Sequence, residues 1–391
     1  MRRLRIPIVL LIGAAMLGLL LWAGRSTVLR SRGPRLESRV VAPPVEAAGF
    51  TQADGPREFD FPADYGPHPD YQTEWWYYTG NLSADDGSRF GYQLTFFRRA
   101  LMPPTERVER ASEWATEQVY MAHFALTEAE EKRHQVFERF SRGAAGLAGA
   151  ESVPYRVWVE DWEVVQTGDD PAVARMRASQ EDLSIDLRLI DRKGPVLHGI
   201  GGYSQKGSET GNASYYYSQP RLETSGTVRA DGQSYLVEGW SWMDHEFSTS
   251  ALSADQVGWD WFALRLEDGT DLMVFQIRKA DGAIDPFSSG TLIDADGTSR
   301  RLTFNGFDIE VEEAWHSPHS GARYPIRWTV RVAGTGLDLR IEPYLTDQEL
   351  NLSYTYWEGA VSVTGDRDGK PVTGDGYVEM TGYAGSIGEQ F

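Results

Sequence analysis

Thr73-Glu74-Trp75-Trp76-Tyr77-Tyr78-Thr79-Gly80 opens a run that turns at Asp86-Gly87 and ends in Phe96-Phe97-Arg98. Aromatic side chains suit a pleated, half-buried surface, and an Asp-Gly pair accepts the positive φ of a tight hairpin. The run therefore predicts two antiparallel strands. Much later, Gly258-Trp259-Asp260-Trp261-Phe262 leads to Asp268-Gly269, and the next strand ends in Phe275-Gln276-Ile277-Arg278. The order is the same: aromatic strand, Asp-Gly turn, strand, terminal Arg. This echo predicts two similar β units, at 60–247 and 248–391.

Asp-Gly pairs recur at 231–232, 281–282, 296–297 and 368–369, most of them between alternating apolar and polar residues. Residues 89–97, 234–242, 271–278 and 337–344 read as strands on that alternation. A helical period is weak, with 111–119 and 127–136 as short helical or loop excursions. The expected class is all-β: two tandem antiparallel barrels of calycin type, built from meandering hairpins.

The 391 residues include no Cys, which excludes disulfides, Cys-ligated metals and a lipid-modified N-terminal Cys. Formal net charge is −19, but residues 1–39 carry eight Arg against one Glu. The remainder has 30 basic and 56 acidic residues, a net of −26, which argues against nucleic-acid binding. Arg2, Arg3 and Arg5 precede an apolar run over 6–23, close to the length that spans a bilayer. We expect an uncleaved transmembrane anchor at 1–24, a linker at 25–59, and soluble domains on the extracytoplasmic side.

The chemistry-bearing segment is Trp240-Ser241-Trp242-Met243-Asp244-His245-Glu246-Phe247. Burial among aromatic side chains raises a carboxyl pKa toward neutrality. Strand alternation puts Trp240, Trp242, Asp244 and Glu246 on one face and Ser241, Met243, His245 and Phe247 on the other. Asp244 is then either an acid in an aromatic pocket, supported by His245 from the interdomain side, or part of a solvated strand end. Glu74 shares a face with Trp76 and Tyr78. It is either a second proton-transfer group or the partner of an Arg such as Arg98. Tyr203 and Lys206, in a Gly-rich loop, and Tyr216 could bind a polar headgroup or carbonyl. His123 reads as a core residue. His316 and His319 lack distinctive metal-ligand spacing, and no cofactor or metal motif is present.

Pro67-His68-Pro69-Asp70-Tyr71 before the Glu74-Trp75-Trp76 block resembles the opening of the AttH/CrtC lipocalin-like family. So do Tyr203-Ser204-Gln205-Lys206-Gly207, residues 215–218 and Trp242-Met243-Asp244-His245-Glu246. Tyr356-Trp357-Glu358-Gly359-Ala360 and Gly376-Tyr377-Val378-Glu379-Met380-Thr381-Gly382-Tyr383 match as well, so the resemblance spans about 60–391. It implies two tandem lipocalin-like barrels and a kinship with carotenoid 1,2-hydratases. The bacterial branch is usually described as secreted hydrolases, yet no hydrolytic triad is recognisable in this chain. Cofactor-free hydration of an isoprenoid or lipid-like alkene fits the residues. Asp244 or Glu74 would give the proton, and His245 would position water or the acid. Trp76, Tyr78 and Trp242 would flank the cation that forms, as aromatic faces attract positive charge. The alternative is a non-catalytic carrier of a hydrophobic ligand beside a membrane transport complex.

Overall fold

The computed structural model describes residues 48–108, 111–249 and 252–385. The expected anchor and residues 25–47 of the expected linker lie outside that range. Its last part differs from expectation. Phe50 and Ala53 are buried, and the Phe59 ring packs 6.3 Å from Tyr215 and 6.1 Å from Tyr217. Apolar side chains at these positions find a covered surface, so 50–59 belongs to the folded body. Among the described residues no helix is long and apolar enough to cross a membrane.

The protein is all-β, in two sheets. The first holds β1 (Thr73–Ala84), β2 (Arg89–Ala100), β3 (Gln118–Glu128), β4 (Arg133–Arg142), β5 (Ala148–Ser152), β6 (Tyr155–Val159) and β7 (Trp162–Gln166). It continues with β8 (Val173–Gln180), β9 (Leu183–Asp191), β10 (Val196–Leu197), β11 (Tyr203–Gln205), β12 (Ala213–Ala230) and β13 (Gln233–Ser248). The second holds β14 (Gln256–Leu266), β15 (Asp271–Lys279), β16 (Ser289–Ile293), β17 (Ser299–Leu302) and β18 (Phe307–His316). Its remaining strands are β19 (Arg323–Val332), β20 (Leu337–Pro343), β21 (Glu349–Asn351), β22 (Thr355–Arg367) and β23 (Lys370–Met380).

The two sheets share one plan. The first runs β4-β3-β2-β1-β13-β12-β9-β8-β7-β6-β5, and the second runs β17-β16-β15-β14-β23-β22-β20-β19-β18. In each, the first strand pairs with the last, and the single break falls between two consecutive strands. The first sheet curls into a nearly closed barrel: Phe124 on β3 meets Trp162 on β7, with ring centroids 5.7 Å apart across the core. Asp-Gly pairs at 86–87, 231–232, 268–269, 296–297 and 368–369 join consecutive antiparallel strands, with φ between 73° and 91° at their glycines. Only glycine holds that conformation without strain. The 127–136 segment is not an excursion but the β3–β4 hairpin, and 111–117 is irregular chain leading into β3.

The echo in the sequence has a structural meaning. In the first sheet Arg98 Nε meets Glu74 Oε2 at 2.8 Å, and in the second Arg278 Nε meets Asp260 Oδ1 at 3.0 Å. Each pair joins the aromatic opening strand to the end of its hairpin partner. An unpaired charge buried there would be strongly unfavourable, so acid and Arg recur together.

The sheets meet through an aromatic layer. Tyr77, Tyr216 and Trp242 from the first pack on Trp261, Met273, Phe275 and Tyr377 from the second. A Cβ on Gly91 would lie 2.4 Å from the Ala360 Cβ, so β2 and β22 approach closely only because residue 91 has no side chain. Buried Asp271, on β15, accepts from Lys193 at 2.6 Å and from Arg221 at 2.7 Å, both contributed by the first half of the chain.

Candidate functional site

Strand β13 is regular through its charged segment, so period-2 alternation divides the segment between two environments. Asp244 faces the layer between the sheets. Met243 and His245 face the inside of the first sheet. The expectation that His245 supports Asp244 from the interdomain side is therefore corrected: Asp244 is the interdomain residue, and His245 lies on the opposite face.

Asp244 is 4% exposed and accepts three side-chain hydrogen bonds. Tyr216 Oη donates at 2.5 Å, Trp242 Nε1 at 2.6 Å, and Ser218 Oγ donates to the same oxygen as Trp242. Burial pushes the carboxyl up to about 7 against those bonds, and the nearby Glu246 adds to the rise. Behind it, His198 Nε2 lies 2.5 Å from Ser218 Oγ, and its Nδ1 lies 2.8 Å from Thr291 Oγ1. Burial, assisted by Lys206, brings His198 down to about 3, so the ring is neutral.

Two further carboxyls share the layer. Glu379 on β23 lies directly opposite Glu358 on β22. Like charges in that position repel and favour protonation. Burial raises Glu379 to about 8, with Asp244 and Glu246 contributing and a 3.4 Å hydrogen bond from Trp259 Nε1 opposing. Burial and then Glu379 push Glu358 well above the carboxylate range. The Tyr77 and Tyr356 hydroxyls face Glu358 and oppose that rise. The aromatic shell is close: Tyr77 meets Trp261 edge-on at 5.2 Å, and Trp261 Nε1 donates to Tyr216 Oη at 2.9 Å. Lys206 Nζ sits 4.1 Å from the Phe275 ring centroid and 3.3 Å from Glu246 Oε1. Trp75, Trp259 and Glu379 keep partial solvent exposure, so the layer opens at this edge.

The second cluster closes the first sheet's core. Glu74 Oε1 lies 2.8 Å from His245 Nε2 and 2.8 Å from His68 Nδ1, while Arg98 holds Oε2. Burial would raise Glu74, but Arg98, His245 and His68 together hold it well below the ordinary value. Such a carboxylate accepts protons poorly and has none to give near neutrality. Burial opposes charge on His68, yet hydrogen bonds to Asp64 and Glu74 raise its pKa. Burial lowers His245 to about 4 despite Glu74. Among the described residues, the ligand atoms of His68, Glu74 and His245 converge within 4.8 Å of one another.

Of the residues singled out in the sequence, Asp244, Trp242, Tyr216 and Lys206 gather in the inter-sheet layer. Glu74, His245, Trp76 and Tyr78 gather inside the first sheet, so Trp76 and Tyr78 share no pocket with Trp242. Tyr203 lies outside both, 6.4 Å from the Tyr215 ring. His123 is buried, with Nδ1 2.8 Å from Tyr356 Oη, and exposed His319 pairs with Asp347 at 2.9 Å. Glu358, Glu379 and His68 were missed as chemistry. Each stood in a motif that carried the family resemblance, but the pairings that matter, Glu379 with Asp244 and His68 beside His245, join residues remote in sequence.

A family profile described as AttH-like matches residues 52–383. No curated protein matches in sequence. The chain is 35% identical to a putative AttH from Nitrosomonas europaea, over 85% of this chain and all of that one, with a TM-score of 0.76. It also resembles kievitone hydratase from Nectria haematococca at 15% identity, over 86% of this chain and 98% of that one, with a TM-score of 0.64. That second likeness speaks for the fold alone. With the profile spanning most of the chain, this protein belongs to the AttH-like family.

Proposed function

We propose that the inter-sheet layer is an acid–base site acting on a hydrophobic, isoprenoid or lipid-like substrate by hydratase-like chemistry. The observation that carries this reading is a set of carboxyls inside an aromatic shell, with Asp244 raised to about 7 and Glu379 to about 8. General acids work best with a pKa near the working pH. Glu379 is the proton donor, because it alone of the three combines a raised pKa with access to the open edge. Asp244 lies behind it, fully committed to its three donors, and supports the protonated state of Glu379 through its charge.

The acid transfers its proton to one alkene carbon, and the π electrons form the new C–H bond. The cation left on the other carbon meets the faces of Trp261, Trp259 and Tyr77, each worth about 0.5–2 kcal/mol. Water adds to the cation, and its surplus proton returns to the carboxylate. The reaction balances without a cofactor. The hydratase named among the structural relatives supports this class of chemistry only through its fold.

The test is incubation with an acyclic isoprenoid bearing a terminal trisubstituted alkene, in isotopically labelled water. We expect a product carrying one added, labelled water, and none from Glu379→Gln, which still binds the substrate. A wild-type rate in Glu379→Gln would sink the assignment.

A second reading is a carrier of an apolar ligand. The small cleft in the first sheet, lined by Tyr65, Tyr78, Tyr155, Leu189, Leu222 and Met243, has room for little more than a water and would have to widen to admit one. Mass spectrometry of the purified protein separates the two. A co-purifying lipid that returns chemically unchanged supports the carrier. The anchor at 1–24 and an extracytoplasmic site belong to the same proposal, and membrane fractionation of the full chain and of a chain lacking 1–24 tests them.

A further inference from the structure

Five short polar contacts link the groups that close the first sheet's core. His245 Nε2 and His68 Nδ1 each lie 2.8 Å from Glu74 Oε1. His68 Nε2 lies 2.8 Å from Asp64 Oδ1. His245 Nδ1 lies 2.8 Å from Tyr217 Oη, which in turn lies 3.0 Å from the Asp64 carbonyl oxygen. Each contact needs a hydrogen or an equivalent positive centre between its two atoms. Two neutral imidazoles and one phenol carry three hydrogens.

One arrangement of those three serves every outer contact. His68 Nε2–H donates to the Asp64 carboxylate, His245 Nδ1–H donates to Tyr217 Oη, and Tyr217 O–H donates to the Asp64 carbonyl. Every outer contact is then satisfied. The lone pairs of His68 Nδ1, His245 Nε2 and Glu74 Oε1 are left facing one another, within 4.8 Å. Protons alone fill all five contacts only if both rings become imidazolium; with neutral rings, filling an inner contact gives up an outer one. One divalent cation fills both inner contacts at once and leaves every side chain in its ordinary protonation state.

We propose that His68, Glu74 and His245 bind one divalent transition-metal ion of the zinc class. Two imidazole nitrogens and a carboxylate oxygen are the donor set such ions favour. The outer contacts are those expected of a built site. A ligating His commonly gives its other N–H to a carboxylate or a second polar group, which fixes the tautomer. Asp64 is itself held by Arg57 at 2.7 Å and by the Asp60 backbone N–H at 2.5 Å. Arg98 occupies Glu74 Oε2, and the His68 backbone N–H lies 3.0 Å from both oxygens, so the side chain offers Oε1 as a single-oxygen ligand. Phe247 stacks on the His68 ring at 3.6 Å, and Trp76 lies 4.8 Å from the His245 ring, so aromatic surface orients both. The site lies on the opposite face of β13 from Asp244 and does not depend on the hydration chemistry proposed there.

The test uses the full chain, stripped with chelator and titrated with Zn²⁺ by calorimetry and with Co²⁺ by visible absorption. We expect one ion per chain, cobalt bands of a nitrogen- and oxygen-ligated site, and a higher thermal midpoint with Zn²⁺. His68→Gln and His245→Gln each abolish the cobalt bands, whereas His319→Gln leaves them intact. Asp64→Asn keeps the bands and weakens affinity by about 10- to 100-fold, the usual effect of losing an outer partner. Circular dichroism and metal-free melting check that the variants fold. Failure of the stripped wild-type chain to bind either ion overturns the proposal, and so does binding that His68→Gln and His245→Gln leave unchanged.

Discussion

Replacing Asp244 with Asn removes one acid from the inter-sheet layer, and the effect on stability follows from its pKa. In the unfolded chain the carboxyl titrates near its ordinary 3.8, and in the folded protein burial moves it to about 7. Below pH 3.8 both states hold the proton and the group contributes nothing. Between the two values the folded state keeps a proton that the unfolded state has lost, so stability falls as pH rises. Above pH 7 the loss is complete. At about 1.4 kcal/mol per pKa unit, the full displacement is worth about 4 kcal/mol, an upper bound because the site relaxes around the charge. Asn keeps the shape of Asp, and its amide can donate to Tyr216 Oη once that hydroxyl rotates. Denaturant unfolding of wild type and Asp244→Asn at intervals from pH 4 to 8 measures the difference. We expect the variant to gain stability relative to wild type with rising pH, by up to about 4 kcal/mol, with most of the gain made by pH 7. Parallel curves across that range would refute the raised pKa and remove the basis for the acid–base reading.

Arg98→Met strands the buried Glu74 carboxylate and takes donors from the His68 and Tyr71 carbonyls, so it should cost about 3–5 kcal/mol by denaturant unfolding. Because Glu74 is held below its ordinary 4.5, its contribution is present above that value and lost as pH falls through the folded value, and Arg98→Met should flatten this acid limb. Arg278→Met, at the equivalent pair of the second sheet, should cost less because its side chain is 16% exposed. Gly91→Val would drive a side chain into Ala360, and overpacking of this kind costs about 1–3 kcal/mol, read as a lowered denaturation midpoint.

Much of the fold was legible because its signals are local. An Asp-Gly pair between alternating strands needs no distant partner to specify a hairpin, and five of the eight such pairs in the chain join consecutive strands. The repeated aromatic strand and terminal Arg marked the opening of each sheet for a related reason: cross-strand neighbours in a hairpin are fixed by the turn. The expected linker runs too far, to 59, because a composition rich in Arg, Pro and small residues hid Ala53 and Phe59, which pack with Tyr215 of β12 and Phe247 of β13.

The sequence alone determined that Asp244 and His245 point apart, since successive side chains on a strand take opposite faces wherever the strand lies. Only the tertiary structure decided which face is which and who waits there. Glu379 comes within electrostatic reach of Asp244 because the last hairpin of the second sheet packs on β1 and β2 beside β13, and a raised carboxyl pKa depends on that enclosure. His68 reaches Glu74 and His245 because the chain before β1 folds over the end of the first sheet. Both sites bring together residues separated by more than a hundred positions, at distances that local periodicity does not encode.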